Sequence, residues 1–236
     1  MKRIILLVLV PAFFLSGCET TQAILDGLPG STNPTSQEIA SGLKEALTIG
    51  AQNSTGRLSA VDGFFSNAAI KILMPQEARK VESTLRSLGM GSLVDKAIKS
   101  MNQGAEEASK SALPIFRNAI LRMSIMDAAG ILKGGDFAAT NYFREKTTTE
   151  LSTAFRPVIE SSLKKVDATK YWEDVFTAYN KFAKNPVNTD LSAYVTERAI
   201  SGIFHELALE EQKIRKDPAA RVTELLKKVF GTNQGQ

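Results

Sequence analysis

The sequence predicts an all-α protein, a compact irregular bundle of about eight to ten short helices. Three observations predict it. From residue 35 onward, apolar residues recur three and four apart, the period of an amphipathic helix rather than the alternation of a strand. Helix-start signals, Ser or Thr with an acid three residues later, or a lone Asp, precede these stripes. Gly and Pro interrupt them too often for four long rods, and no period of about 20–50 residues repeats as a solenoid would.

Residues 1–17 read as an export signal. Lys2 and Arg3 supply its positive start, and Ile4 to Leu15 is an apolar run broken only by Pro11. That run is shorter than the roughly 20 residues a bilayer requires. The following Leu15-Ser16-Gly17-Cys18 resembles the bacterial lipobox. The resemblance implies cleavage after Gly17, a diacylglyceryl thioether on Cys18 and acylation of the new N-terminus. Two or three acyl chains hold far more firmly than one, since each buried methylene contributes about 0.8 kcal/mol. Glu19, rather than Asp, follows the cysteine, which resembles the outer-membrane pattern more than retention in the inner membrane. The expected location is therefore the outer membrane, with the domain in the periplasm. Residues 18–34 are expected to be a lipidated tether, rich in Gly, Ser, Thr, Asn and Pro. A single helical domain is expected over 35–231, and a frayed tail over 232–236.

Composition narrows the function. Losing Lys2 and Arg3 with the leader lowers the formal charge from +4 to +2, no footprint for nucleic acid. Cys18 is the only cysteine, so its lipidation leaves no disulfide, thiolate nucleophile or thiolate metal site. His205 is the only histidine, which leaves no partner for a triad or a histidine metal site. It sits beside an apolar stripe and reads as structural. No Gly-x-Ser-x-Gly elbow occurs, and Gly89-Met90-Gly91-Ser92 lacks the third glycine of a dinucleotide fingerprint. No cofactor, metal or catalytic residue is expected.

The elements follow in order. Thr35-Ser36-Gln37-Glu38 is a capping box, and Ile39, Leu43, Ala46 and Leu47 carry a helix to about Leu58. Val61-Asp62-Gly63 is a turn, after which Phe64-Phe65 should plug into the core. Ile70 to Pro75 is the only plausible strand. Ala78, Val81, Leu85 and Leu88 mark a helix over 76–88, broken by Gly89-Met90-Gly91 and resumed over 92–110. Pro114 opens the next helix. Ser124 with Asp127 is a variant capping box for a short helix to Lys133. Gly134 is expected in the left-handed region that ends a helix, and Asp136 is expected to cap the next, 137–146. Thr147 with Glu150 suggests a new start for 148–164, with Pro157 a kink or boundary. An aromatic-rich helix over 168–184 and a loop over 186–189 follow. Asp190 should cap 191–215, and Asp217-Pro218 should open a last helix to Phe230, closed by Gly231. In that helix Arg221, Lys227 and Lys228 lie off an apolar face. This suits docking on the bundle better than lying on anionic lipid.

Several stretches together resemble a known family. They are Leu43-Lys44-Glu45-Ala46-Leu47, Leu88-Gly89-Met90, Ile131 to Asp136 with Tyr142-Phe143-Arg144, Ile214 to Pro218, and Leu226 to Gly231. In this order they resemble the bacterial lipoprotein family catalogued as domain of unknown function 4197, over roughly residues 36–231. Members often read Ile-Pro-Leu-Pro where this chain has Ile72-Leu73-Met74-Pro75. The resemblance implies the anchor and the domain boundaries, but no activity and no site residues.

Two places are candidate ligand sites. At the Lys133–Asp136 corner, two glycines permit close approach, a helix start offers N–H groups, and Lys133 adds charge for a small anion. Against this, an Asp136 carboxylate would occupy those donors, and a C-cap followed by an N-cap explains the corner structurally. Trp172, Phe176 and Tyr179 share one helix face with i, i+4, i+7 spacing, suited either to core or to the wall of an apolar pocket. The leading expectation is a membrane-anchored, non-catalytic module binding an envelope protein or other envelope component. The alternatives are a carrier of an apolar ligand between helices, or a metal-independent enzyme using Asp, Glu, Lys or Arg.

Overall fold

The computed structural model describes residues 34–165, 167–181, 186 and 190–231. The leader, Cys18, all of the tether before Pro34, and the tail 232–236 lie outside the described residues. Among the described residues there are nine α-helices and no strand, which makes the fold all-α. They are α1 (Ser36–Leu58), α2 (Arg79–Ser87), α3 (Gly91–Ser109), α4 (Ala112–Arg122), α5 (Ile125–Lys133), α6 (Ala138–Lys164), α7 (Ala168–Asn180), α8 (Leu191–Lys216) and α9 (Glu224–Gly231). Long α6 and α8 pack on each other. Helix α3 lies against α6, and α1 lies against α8 with α4, α5 and α9 around it.

Where caps are local, sequence and structure agree. The Thr35 hydroxyl accepts from Glu38 N while Glu38 accepts from Thr35 N, and Ser124 with Asp127 does the same for α5. Asp190 Oδ1 accepts from Ala193 N at 2.8 Å and starts α8. Gly89, at φ +78°, ends α2. Met90 N donates to Leu85 O and Gly89 N to Arg86 O, the paired bonds of a Schellman turn.

Elsewhere the expected boundaries move. Thr147 starts no helix. Its buried hydroxyl donates to Phe143 O at 2.6 Å, so α6 runs unbroken through it. Pro157 also lies inside α6. Its missing N–H is offset because Phe143, Leu151, Phe155, Ile159 and Leu163 form one fully buried stripe on both sides of it. The last helix is divided: Asp217-Pro218 opens a 3₁₀ turn over 218–220, and Thr223 Oγ1 accepts from Leu226 N to start α9. Arg221 is not on a solvated face. It is buried and donates to Ile214 O and Arg215 O, closing the C-terminus of α8. Helix α9 docks on α1 as expected, with Lys228 Nζ 2.8 Å from Glu38 Oε1.

The core centres on aromatic rings. Phe116 lies 5.1 Å from Phe143 and 6.3 Å from Phe204, centroid to centroid, and all three are buried. Phe64 is fully buried, as its place after the turn predicts, while Phe65 packs at the edge. Residues 71–75 run extended without becoming a strand. Ile72 is held by a side chain instead: its N–H donates to Asn102 Oδ1 at 2.9 Å, and Asn102 Nδ2 donates to its carbonyl at 2.8 Å.

The corner after α5 gives a direct test. Gly134 has φ −73° and ψ 169°, so it is not left-handed. What requires glycine there is space, because a Cβ would come within 2.6 Å of Ala138 Cβ and 2.9 Å of Gly130 O. Gly134→Val should cost about 1–3 kcal/mol through that overlap. Asp136→Ala should stay within about 0.5 kcal/mol, because Asp136 caps nothing. Urea unfolding of the two variants measures the difference, and a larger loss at Asp136 would contradict this geometry.

Candidate functional site

An open groove of about 630 Å³ lies where the extended segment meets the start of α8. That is within the usual range of ligand sites. One wall is Lys71, Leu73, Met74 and Pro75, continued by Glu77 and Arg79. The other is Ala193, Tyr194, Glu197 and Arg198, with Trp172 between them. The Tyr194 hydroxyl donates to Leu73 O at 3.0 Å and ties the walls together. Burial pushes the Tyr194 hydroxyl above its ordinary value, with Glu77 and Glu197 acting the same way and Arg198 opposing. It is therefore a neutral donor at physiological pH. Apolar residues sit beside charges of both signs, a lining suited to an amphipathic occupant.

The aromatic face is divided between core and groove. Trp172 and Phe176 rings are 4.3 Å apart and only 6% and 2% exposed, so they pack on each other. Of these two rings, that of Trp172 reaches the groove. The Tyr179 side chain lies outside the described residues.

At the Lys133–Asp136 corner the expected cap by Asp136 does not form. Phe137 occupies the N-cap position of α6 without a side-chain bond. Distant Glu211 of α8 supplies the carboxylate: Oε1 accepts from Ala139 N at 3.0 Å, and Oε2 accepts from Thr140 N at 2.9 Å and Thr140 Oγ1 at 2.8 Å. Those donors are no longer open to a ligand. Asp136 is exposed and pairs with Lys216 at 3.3 Å, and Lys133 is exposed.

Sequence reasoning missed the buried acids. Glu206, Glu210 and Glu211 of α8 and Glu106 of α3 are all buried. Glu206 accepts from Arg57 and Asn67, and Glu210 from Arg57, Asn53 and Lys213. Glu106 Oε1 accepts from Phe64 N and Phe65 N. Burial alone would raise the Glu210 carboxyl. Hydrogen bonds from Asn53 and Lys213 and the charge of Arg57 outweigh it and hold the group below its ordinary value. These carboxylates fasten loops and helix ends. A signal did exist, because Glu210 continues the stripe Ile203, Leu207, Ile214 and so occupies a core position. The cavity beside Glu210 and Glu211, also lined by Leu43, Phe143 and Phe230, holds about 30 Å³, room for a water or two. His205 is exposed on the outer side of α8. Among the described residues no three His, Cys, Asp or Glu side chains are grouped to hold a metal ion, and no helix is long and apolar enough to cross a membrane.

A family model described as "Protein of unknown function (DUF4197)" matches residues 33–231. No curated protein and no solved structure matches the chain.

Proposed function

This chain belongs to the DUF4197 family, and from that premise we propose that it is a lipid-anchored envelope protein whose helical domain is a non-catalytic binding module. The observation that carries this reading is Leu15-Ser16-Gly17-Cys18 behind a short basic and apolar leader. Cys18 would hold the protein in the outer membrane, with the domain on the periplasmic side. Engagement of the described buried acids in structural bonds supports binding over acid–base chemistry. The groove at Trp172 and Tyr194 is the proposed contact for an envelope partner. A carrier role draws on Leu73, Met74, Pro75 and Trp172. An apolar chain would then lie along the groove surface rather than between helices.

Cys18→Ala should leave an unprocessed precursor that takes up no labelled palmitate, while wild type fractionates with the outer membrane. Palmitate label on the variant sinks the anchor, and wild type in the inner membrane sinks the location. A photo-crosslinker at Leu73, which is half exposed, tests the groove in living cells. It should give a defined adduct that the same probe at Val222 does not. Equal adducts from both positions would remove the groove from the proposal.

A further inference from the structure

A second groove, of about 400 Å³, runs between α6 and α8 on a different stretch of the surface. Arg144, Thr148, Ser152 and Arg156 line it from α6 at four-residue spacing, on one face of the helix. Thr196, Ile200, Ser201 and Phe204 line it from α8. Arg144 meets Phe204 while Arg156 meets Asp190, so the two helices run antiparallel, with the arginines about 18 Å apart along α6.

The two arginines are in different chemical states. Arg156 is engaged by Asp190, the residue that caps α8. Among the described residues Arg144 has no carboxylate within ion-pair distance. Its guanidinium lies over the buried Phe204 ring, 4.6 Å from the centroid. A cation–π contact consumes no N–H donor, so the guanidinium keeps its N–H groups for a ligand. Ser201 lines the same groove one turn from Phe204, and among the described residues its hydroxyl makes no hydrogen bond, while Ser152 lines it about 12 Å further along α6 from Arg144. Thr148 donates its proton to Arg144 O and keeps its lone pairs. The one acid lining the groove outside a salt bridge, Glu197, is seven residues along α8 from Phe204, about 10 Å.

We propose that this groove binds a phosphoryl group, held by the Arg144 fork and the Ser201 hydroxyl, on a body the size of a lipid headgroup or a small phosphate ester. A carboxylate has two coplanar oxygens, which the guanidinium fork alone satisfies. A phosphoryl group has a third oxygen, to which the Ser201 hydroxyl, three residues from Phe204 on α8, can donate. The site uses none of the residues of the Trp172 groove except Ala193 and Glu197, at its far end, and it does not depend on the anchor.

The test is thermal unfolding of the full-length protein in neutral detergent, followed by helical circular dichroism at constant ionic strength. Glycerol 3-phosphate at about a hundred times its Kd should raise the melting temperature by roughly 5–10 °C, while glycerol and glucuronate should not. Arg144→Gln should abolish the rise. Arg144→Lys keeps a cation over Phe204 and the fold but loses the fork, and should weaken binding about tenfold. Phosphatidic acid in the micelle that displaces glycerol 3-phosphate through Arg144 identifies a lipid headgroup as the source, and failure to displace it identifies a soluble ester. No rise with either phosphate compound, an equal rise in Arg144→Gln, or an equal rise with glucuronate overturns the proposal.

Discussion

Glu211→Ala should cost about 3–5 kcal/mol of stability, read as a fall in urea midpoint at unchanged slope. Three groups lose their acceptor together: Ala139 N, Thr140 N and the Thr140 hydroxyl. A fourth loss is the salt bridge to Arg215, at 2.8 Å, with side chains only 14% and 7% exposed. Arg215 also donates to Ile131 O at 2.9 Å, at the end of α5. Glu211 and Arg215 thus clamp two helix termini, a negative group on the start of α6 and a positive one on the end of α5, each favourable to its helix dipole. Removing the acid leaves a nearly buried cation and two buried amides without their partner, which costs more than the bonds themselves contribute. Glu211→Gln retains one acceptor oxygen and should fall between wild type and alanine. A loss below about 1 kcal/mol in Glu211→Ala would show that other groups or water replace the carboxylate, and the clamp would then be wrong.

That clamp also marks the limit of what the sequence makes legible. Thr35 with Glu38, Ser124 with Asp127, and Asp190 with Ala193 close over three residues, so their chemistry is written locally and their helices start where the residues indicate. Asp136 carries the same local signal, yet the carboxylate at Ala139 N is that of Glu211, 72 residues further on than Ala139. Thr147 and Glu150 imitate a capping box, but the stripe from Phe143 to Leu163 contributes more by staying in one helix. The aromatic spacing of Trp172 and Phe176 was visible, though not which side faces the core. That depends on where α7 packs against α6 and α8. Neither groove could be read in advance, since each joins residues from separate elements. The sequence holds Arg144 and Phe204 60 residues apart, and the extended wall at Leu73 meets Tyr194 only through tertiary packing.

Asn102→Leu should cost about 2–4 kcal/mol and should release the extended wall of the Trp172 groove. Asn102 is fully buried, and its side-chain amide acts as a strand partner for a segment that has none. It accepts from Ile72 N at 2.9 Å and donates to Ile72 O and Ile98 O, each at 2.8 Å. Leucine has the same branched outline and more bulk, so no cavity opens and the loss comes from stranded polar groups with some overpacking added. Ile72 is itself fully buried, so its N–H and C=O would be stranded away from water at about 1–3 kcal/mol each unless the segment moves. Movement is the cheaper response, because the hydrogen bond that holds Leu73 among the described residues is the exposed one from Tyr194. The variant should therefore lose amide-exchange protection at Ile72 by more than its global stability falls, while amides in α6 follow the global loss. Crosslinking from Leu73 should weaken in step. Unchanged protection at Ile72 would mean that the side chains of Ile70 and Ile72, not the Asn102 amide, hold this wall in place.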